Sequence, residues 1–254
     1  MSEPEAQPVI IRHRFEVRRR VLSVTERIQL TPHMIRFVFT PDSMEDFNSL
    51  APDDHIKIFF DTPAGPAMRD YTPRAFDRAA GTITIDFAVH EAGPATAWAV
   101  GAGVGSTLNI GGPRGSGVVA PLFDWYLLIG DETALPAIGR WFAEAPEGQN
   151  LTALVAIRDA SEEQDLPSAA RTEARWIHRG DNATDAAPFL AALEGFTRPA
   201  GRGFIWIATE ANVAKTLRSH VQDAWSHPLT DLKSSGYWYA GMAFDAAKSK
   251  EANA

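Results

Sequence analysis

Residues 125–143 read W-Y-L-L-I-G-D-E-T-A-L-P-A-I-G-R-W-F-A, and this stretch decides the fold. Its first five residues form a continuous apolar run, too short for a helix and suited to a strand buried on both faces. A glycine breaks the run, and helical sequence follows from Glu132 to about Ala143. The pattern repeats downstream. Apolar runs at 151–157 (LTALVAI), 175–178 and 204–208 (FIWIA) alternate with helical sequence at 188–196 and 211–225. Strands alternating with helices predict a five-stranded parallel α/β sheet covered on both faces, of Rossmann-like type.

Upstream the texture differs. From Phe15 to about Gly111 the chain is a series of short β-like runs, among them 34–40 (MIRFVFT), 55–60 (HIKIFF), 82–89 (TITIDFAV) and 107–110. Several alternate apolar and polar residues, so that one face is buried and the other wet. Closely spaced strands without long helices predict an antiparallel β-barrel. One short helix is expected at 94–100 (PATAWAV), where proline suits the first turn. The fold expected is therefore β + α/β, a barrel domain over 10–118 and an α/β domain over 119–245, followed by a C-terminal tail at 246–254. The Gly- and Pro-rich stretch 111–121 reads as the linker.

Composition removes whole classes of function. The 254 residues include no cysteine, which excludes disulfides, thiolate metal sites, cysteine nucleophiles and protein-ligated iron–sulfur clusters. With 32 acidic against 24 basic side chains, the formal charge of −8 argues against a nucleic-acid binder. No apolar run is long enough to span a membrane, and the polar, acidic start is unlike a signal peptide. The expectation is a cytoplasmic monomer. No histidine stands at metal-ligand spacing with another histidine or a carboxylate pair, so no metal site is assigned. The arginines at 12, 14, 18, 19 and 20 read as a solvated strand and turn.

Three segments carry chemistry. In 68–76 (MRDYTPRAF), Arg69 and Tyr71 project from one face of a strand. Arginine offers a bidentate phosphate clamp, tyrosine a stacking platform, and Thr72 a hydrogen bond to a ring nitrogen. A plain strand with an exposed arginine and a half-buried tyrosine fits the same run. In 90–96 (HEAGPAT), a glycine precedes a helix that opens with proline and small residues. Free N–H groups there suit an anion, although an ordinary capped helix has the same look. The third segment, 111–117 (GGPRGSG), is a flexible basic loop that also reads as the domain linker.

Taken together these residues resemble the siderophore-interacting proteins, flavin-dependent ferric-siderophore reductases of the ferredoxin–NADP reductase superfamily. The resemblance rests on RDYTPR at 69–74, GPATAWA at 93–99, GPRGS at 112–116, LLIGDETALPA at 127–137, WIHR at 176–179 and GYW at 236–238. It implies FAD in the first domain. Arg69 would hold the pyrophosphate, Tyr71 would pack on the isoalloxazine, and Thr72 would sit near its N5. Arg74 would touch phosphate or ribose, and His90, Gly93, Ala95 and Thr96 would meet the diphosphate and ribityl chain, with Arg114 and Gly115 close by.

In the second domain, Thr133 and Ala134 are candidates for backbone contacts to a dinucleotide at the carboxyl edge of the sheet. The glycine fingerprint G-x-G-x-x-G is absent, and two carboxylates stand at the turn. Arg158, ending the second strand, suits a 2′-phosphate and favours NADPH over NADH, whereas Asp159 beside it suits a ribose diol. Lys57 occupies a position where the family often has a substrate-facing lysine; a solvated strand lysine reads the same way. After GYW many members carry arginine, but Tyr239 and Ala240 stand here, so Lys248 and Lys250 would substitute if the tail folds back. The activity implied is transfer of electrons from NAD(P)H or reduced ferredoxin through FAD to Fe(III) in a siderophore. The alternatives are a general NAD(P)H:flavin or ferric reductase and a non-catalytic siderophore- or flavin-binding protein.

Overall fold

The computed structural model describes residues 9–63, 65–90 and 93–241. The expected tail at 246–254, with Lys248 and Lys250, lies outside the described residues. The first half comprises β1 (Ile10–Arg14), β2 (Arg19–Thr31), β3 (Met34–Pro41), β4 (Ile56–Thr62), β5 (Gly65–Tyr71), β6 (Pro73–Asp77), β7 (Thr82–Ala88), α1 (Pro94–Gly101), β8 (Thr107–Gly111) and β9 (Gly115–Val119). Seven of these strands form one antiparallel sheet in the order β5-β4-β8-β2-β3-β7-β6. Its two edge strands are consecutive in the chain. β5 pairs with β4 and β6 with β7, so the sheet curls until one stretch of chain serves both edges. Thr72 is the residue at which that stretch changes partners.

Period-two patterning builds the interior of the curled sheet. Phe37, Phe39, Ile58, Ile85 and Phe87 are completely buried. The open end is filled by α1, whose Trp98 ring lies 5.1 Å from Phe37 and 5.4 Å from Phe87. Offset and tilted aromatic contacts of this kind add to what area burial alone contributes.

The second half comprises β10 (Trp125–Asp131), α2 (Leu135–Glu144), β11 (Asn150–Ile157), β12 (Arg171–His178), α3 (Ala187–Glu194), β13 (Gly203–Glu210), α4 (Ala211–Asp223) and β14 (Leu232–Trp238). All five strands are parallel, in the order β12-β11-β10-β13-β14. Winding reverses between β10 and β13, which makes their carboxyl ends the switch point of the sheet. α3 and α4 cover one face through Phe189, Leu193, Val213 and Leu217. α2 lies on the other face, and there Met34, Leu30 and Ala88 of the curled sheet join the same core as Ile138 and Trp206. The two halves therefore share a packed interior.

Polar pins complete that junction. Arg140 of α2 is 2% exposed and donates to Ser49 Oγ at 2.7 Å, Ser49 O at 3.2 Å and Pro73 O at 3.3 Å. Trp206 Nε1 donates to Asp53 at 2.9 Å, and Lys233 pairs with the same carboxylate at 2.5 Å. Glu162 accepts from the Thr31 hydroxyl at 2.5 Å and sits 2.6 Å from His33 Nδ1.

Three expectations need correction. α2 begins at Leu135, not Glu132, because Asp131 folds the intervening residues into a turn. The presumed linker contains β9, which pairs with β1; a side chain at Gly115 would strike the backbone of His13, so only glycine lets the strands meet. Within the arginine run, Arg20 is buried, donates to Ser43 O at 3.0 Å and pairs with Asp46.

Candidate functional site

A cavity of about 710 Å³ lies between β4, β5, β8 and the start of α1, lined by Phe59, Ala67, Arg69, Gly93, Pro94 and Trp98 among others. Arg69 lies opposite Ile58, and Tyr71 opposite Ile56, in the β4–β5 register. Both therefore sit on the face that carries the core isoleucines. The Tyr71 ring lies 4.5 Å from Phe87. Burial pushes its phenol above the ordinary range, opposed by the Arg69 guanidinium. Arg69 Nη1 donates to Met68 O at 2.6 Å. Thr72, next along, is buried.

α1 starts at this cavity. Gly93 takes φ 135°, a conformation that favours glycine, and Pro94 fills the first turn. No side chain caps this end, so the amides of Ala95 and Thr96 keep the positive end of the helix open to an anion. The Ala95 methyl is buried in the core, which leaves it a backbone role only. A Cβ at Gly93 would come within 3.8 Å of His90 Cε1, and the His90 amide donates to Thr96 Oγ1 at 3.4 Å. Arg69, the uncapped helix start and the Phe59 and Trp98 rings are thus collected around the cavity, while Tyr71 packs on Phe87 of the core. The donor set fits a flavin dinucleotide, and the volume lies within the usual span of about 300–1,000 Å³ for cofactor sites.

Other expected residues go elsewhere. The Arg74 guanidinium packs over Gly139 of α2 and lies 3.9 Å from Asp86, so it belongs to the junction between the halves. Burial lowers its pKa, opposed by Asp86. Arg114 and Gly115 stand on the β1–β9 ribbon, where the Arg114 carbonyl accepts from Phe15. Lys57, 40% exposed, holds Asp70 at 2.7 Å, so much of its charge is matched locally.

At the switch point the expected backbone contacts are already taken. Asp131 Oδ1 accepts from the Thr133 amide at 2.9 Å and from its hydroxyl at 2.5 Å, while the Ala134 amide donates to Asp131 O. Asp131 Oδ2 accepts from Trp238 Nε1 at 2.8 Å, and Glu132 pairs with Arg179. Burial pushes both carboxyls above the usual range, and Arg179 pulls each one back. The residues opening α2 do not fit a pyrophosphate. Arg158 is at the carboxyl end of β11, half exposed and 2.8 Å from the exposed Asp181. Asp159 is engaged by the Ser161 amide and hydroxyl. Among the described residues no group of metal-ligating side chains is gathered.

Two residues were missed as participants. Tyr237 meets the Trp206 ring edge-on at 5.9 Å, and Trp238 Nε1 donates to Asp131 Oδ2 at 2.8 Å. The Gly-Tyr-Trp string marked both, but their contacts reach residues far away along the chain.

The family model for the siderophore-interacting FAD-binding domain matches residues 23–67 and 63–117, and that for siderophore-interacting protein matches 123–241. The chain is also 30% identical over 251 residues to the NADPH-dependent ferric-chelate reductase of Escherichia coli K12, covering 90% of this chain and 96% of that one. The chain belongs to the siderophore-interacting protein family. Within the family it is 24% identical over 250 residues to the ferric vibriobactin reductase of Vibrio cholerae, covering 89% of this chain and 92% of that one. A siderophore utilization protein from T. fusca, solved by crystallography, superposes with a TM-score of 0.86 at 33% identity, covering 92% of this chain and 97% of that one.

Proposed function

We infer that this chain is an FAD-dependent reductase that releases iron from ferric siderophores. The observation that carries the reading is the meeting of Arg69 with the uncapped start of α1 around one cavity, with Tyr71 and Thr72 next along the same stretch of chain. Arg69 and the amides of Ala95 and Thr96 would neutralise the diphosphate. Tyr71 would cover the ring system and shield it from water, with Thr72 beside it. Bound FAD supplies an electron-pair store from which Fe(III) is reduced one electron at a time. No acid or base on the protein is required for that transfer. Fe(II) binds hard oxygen donors more weakly than Fe(III), so reduction frees the metal from the chelate.

A reduced nicotinamide dinucleotide is the donor best supported, through the NADPH-dependent relative. Arg158 would meet its 2′-phosphate, and the opening of α2, whose amides are engaged by Asp131, would not seat its pyrophosphate. Reduced ferredoxin is the alternative donor. A monomer is taken as the working unit. On the substrate side Lys57 is the described cation at the family's position, already leaning on Asp70.

The test uses the purified full chain with FAD. It is expected to turn yellow, to bleach anaerobically with NADPH, and to regain colour on adding ferric chelate while Fe(II) appears in a chromogenic trap. A protein that stays colourless with FAD refutes the reductase. Equal rates on ferric citrate and on catecholate or hydroxamate chelates refute the siderophore preference.

A further inference from the structure

β11 and β12 stay side by side beyond their last paired residues, Ile157 and His178. The Arg179 amide donates to Ile157 O at 2.9 Å and the Gly180 amide to Arg158 O at 3.0 Å, which laces the two chain ends together. Gly180 takes φ 65°, in the left-handed region that favours glycine, and the turn brings Asp181 alongside Arg158. Their side chains meet at 2.8 Å, with Arg158 49% and Asp181 83% exposed. Neighbouring charges are engaged elsewhere. Arg179 goes to Glu132, His178 to Glu163 at 2.9 Å, and Asp159 turns to Ser161. Among the described residues Asp181 is therefore the carboxylate that holds the Arg158 guanidinium, at the carboxyl edge of the sheet and open to solvent.

We propose that Asp181 is a specificity-determining residue for the electron donor: it competes with the 2′-phosphate of NADPH for Arg158 and so narrows the preference for NADPH over NADH. The proposal rests on the nicotinamide-donor reading above, with Arg158 as the 2′-phosphate contact. Arginine grips a phosphate through a planar fork of N–H groups. The same fork suits a carboxylate, so an incoming phosphate has to displace Asp181. The displaced carboxylate stays close, because the two backbone hydrogen bonds keep the turn in place. A 2′-phosphate carries close to two negative charges at neutral pH and is repelled by it. The 2′-hydroxyl of NADH carries none, and it neither needs Arg158 nor disturbs the pair. Asp181 thus acts against one donor and leaves the other alone, which sets a difference of affinities by an opposing charge. Both side chains are exposed, and solvent screening keeps the effect to a few-fold.

The experiment compares the FAD holoprotein with its Asp181→Asn variant, which keeps the size of an exposed side chain and removes its charge. Calorimetric titration with adenosine 2′,5′-bisphosphate and with adenosine 5′-monophosphate reads binding without turnover. Steady-state reduction of a ferric chelate, with NADPH or NADH as donor, reads KM and kcat. Asp181→Asn is expected to tighten the bisphosphate about twofold to fivefold and to lower KM for NADPH by the same factor. The monophosphate, NADH and kcat are expected to stay as in the wild type. In an Arg158→Ala background the gain is expected to shrink, because only residual repulsion is left to remove. An unchanged bisphosphate affinity, an equal gain for the monophosphate or NADH, or a gain undiminished without Arg158 overturns the proposal and leaves the reductase standing. A wild-type flavin that neither donor bleaches overturns the donor reading and this proposal together.

Discussion

Arg140 shows how much one side chain carries at the junction of the two halves. Its guanidinium is buried and satisfies two backbone carbonyls of the curled sheet, Ser49 and Pro73, besides the Ser49 hydroxyl. Its Nε–H goes to Glu144 at 2.6 Å, one helical turn away. Pro73 is the residue after Thr72, so the pin lies directly against the site. Removing the donor leaves buried acceptors without partners, at ~1–3 kcal/mol for each group. We expect Arg140→Met to lower stability by about 3 kcal/mol, a fall in Tm of roughly 6–12 °C for a chain of this size. Arg140→Lys is expected to recover only part of that, because one ammonium cannot reproduce a planar fork. Thermal unfolding measures both. A Met variant as stable as the wild type would show that the junction holds through its apolar contacts.

At the scale of elements, β14 is tied at both ends. Its start is held by Arg202, which grips Asp231 with bonds of 2.7 and 2.6 Å, and its end by Trp238 on Asp131. The Arg202 hydrogen bonds hold the Asp231 carboxyl below the usual carboxylate range. An acid whose pKa is lower in the folded state contributes stability above its unfolded pKa, near 3.9. That contribution is lost as the pH falls through the folded value. Asp231→Asn should therefore lower the Tm at pH 7 and flatten its decline below about pH 4; an unchanged acid limb would contradict the pairing. Most elements were legible from the sequence because burial wrote a period into it, as in 34–40 and 125–129. β14 was not, since its residues Lys233, Ser234 and Ser235 are each half-buried and carry no apolar signal. The start of α2 was misplaced because Glu132 and Thr133 suit a helix locally, and only the side chain of Asp131 turns them aside. The site divides along the same line. Arg69, Tyr71 and Thr72 are neighbours along one stretch of chain and could be read together. The neighbour of Arg74, Gly139, comes from the other half of the chain, where spacing is silent.

At the scale of the molecule, the balance of charge sets how a substrate arrives. The chain carries a formal −8. On the function proposed above, an anionic ferric chelate would be repelled at a distance and attracted near Lys57, whose ammonium already shares Asp70. The two effects have different ranges. Raising the ionic strength from 0.01 to 0.15 M shortens the screening length from about 30 to about 8 Å. Repulsion by the whole surface is then largely removed, while a contact of a few ångströms survives. We therefore expect kcat/KM for an anionic chelate to rise with salt over this range, and that for a chelate without net charge to stay flat. Lys57→Ala should lower the value for the anionic chelate about twofold to fivefold, as expected for a half-exposed ion contact worth ~0.4–1 kcal/mol. The loss should appear mainly in KM, and the rise with salt should persist because the distant field is untouched. A rate that falls with salt in the wild type would mean that a local positive field outweighs the net charge. A KM indifferent to Lys57→Ala would move the substrate contact to another side chain.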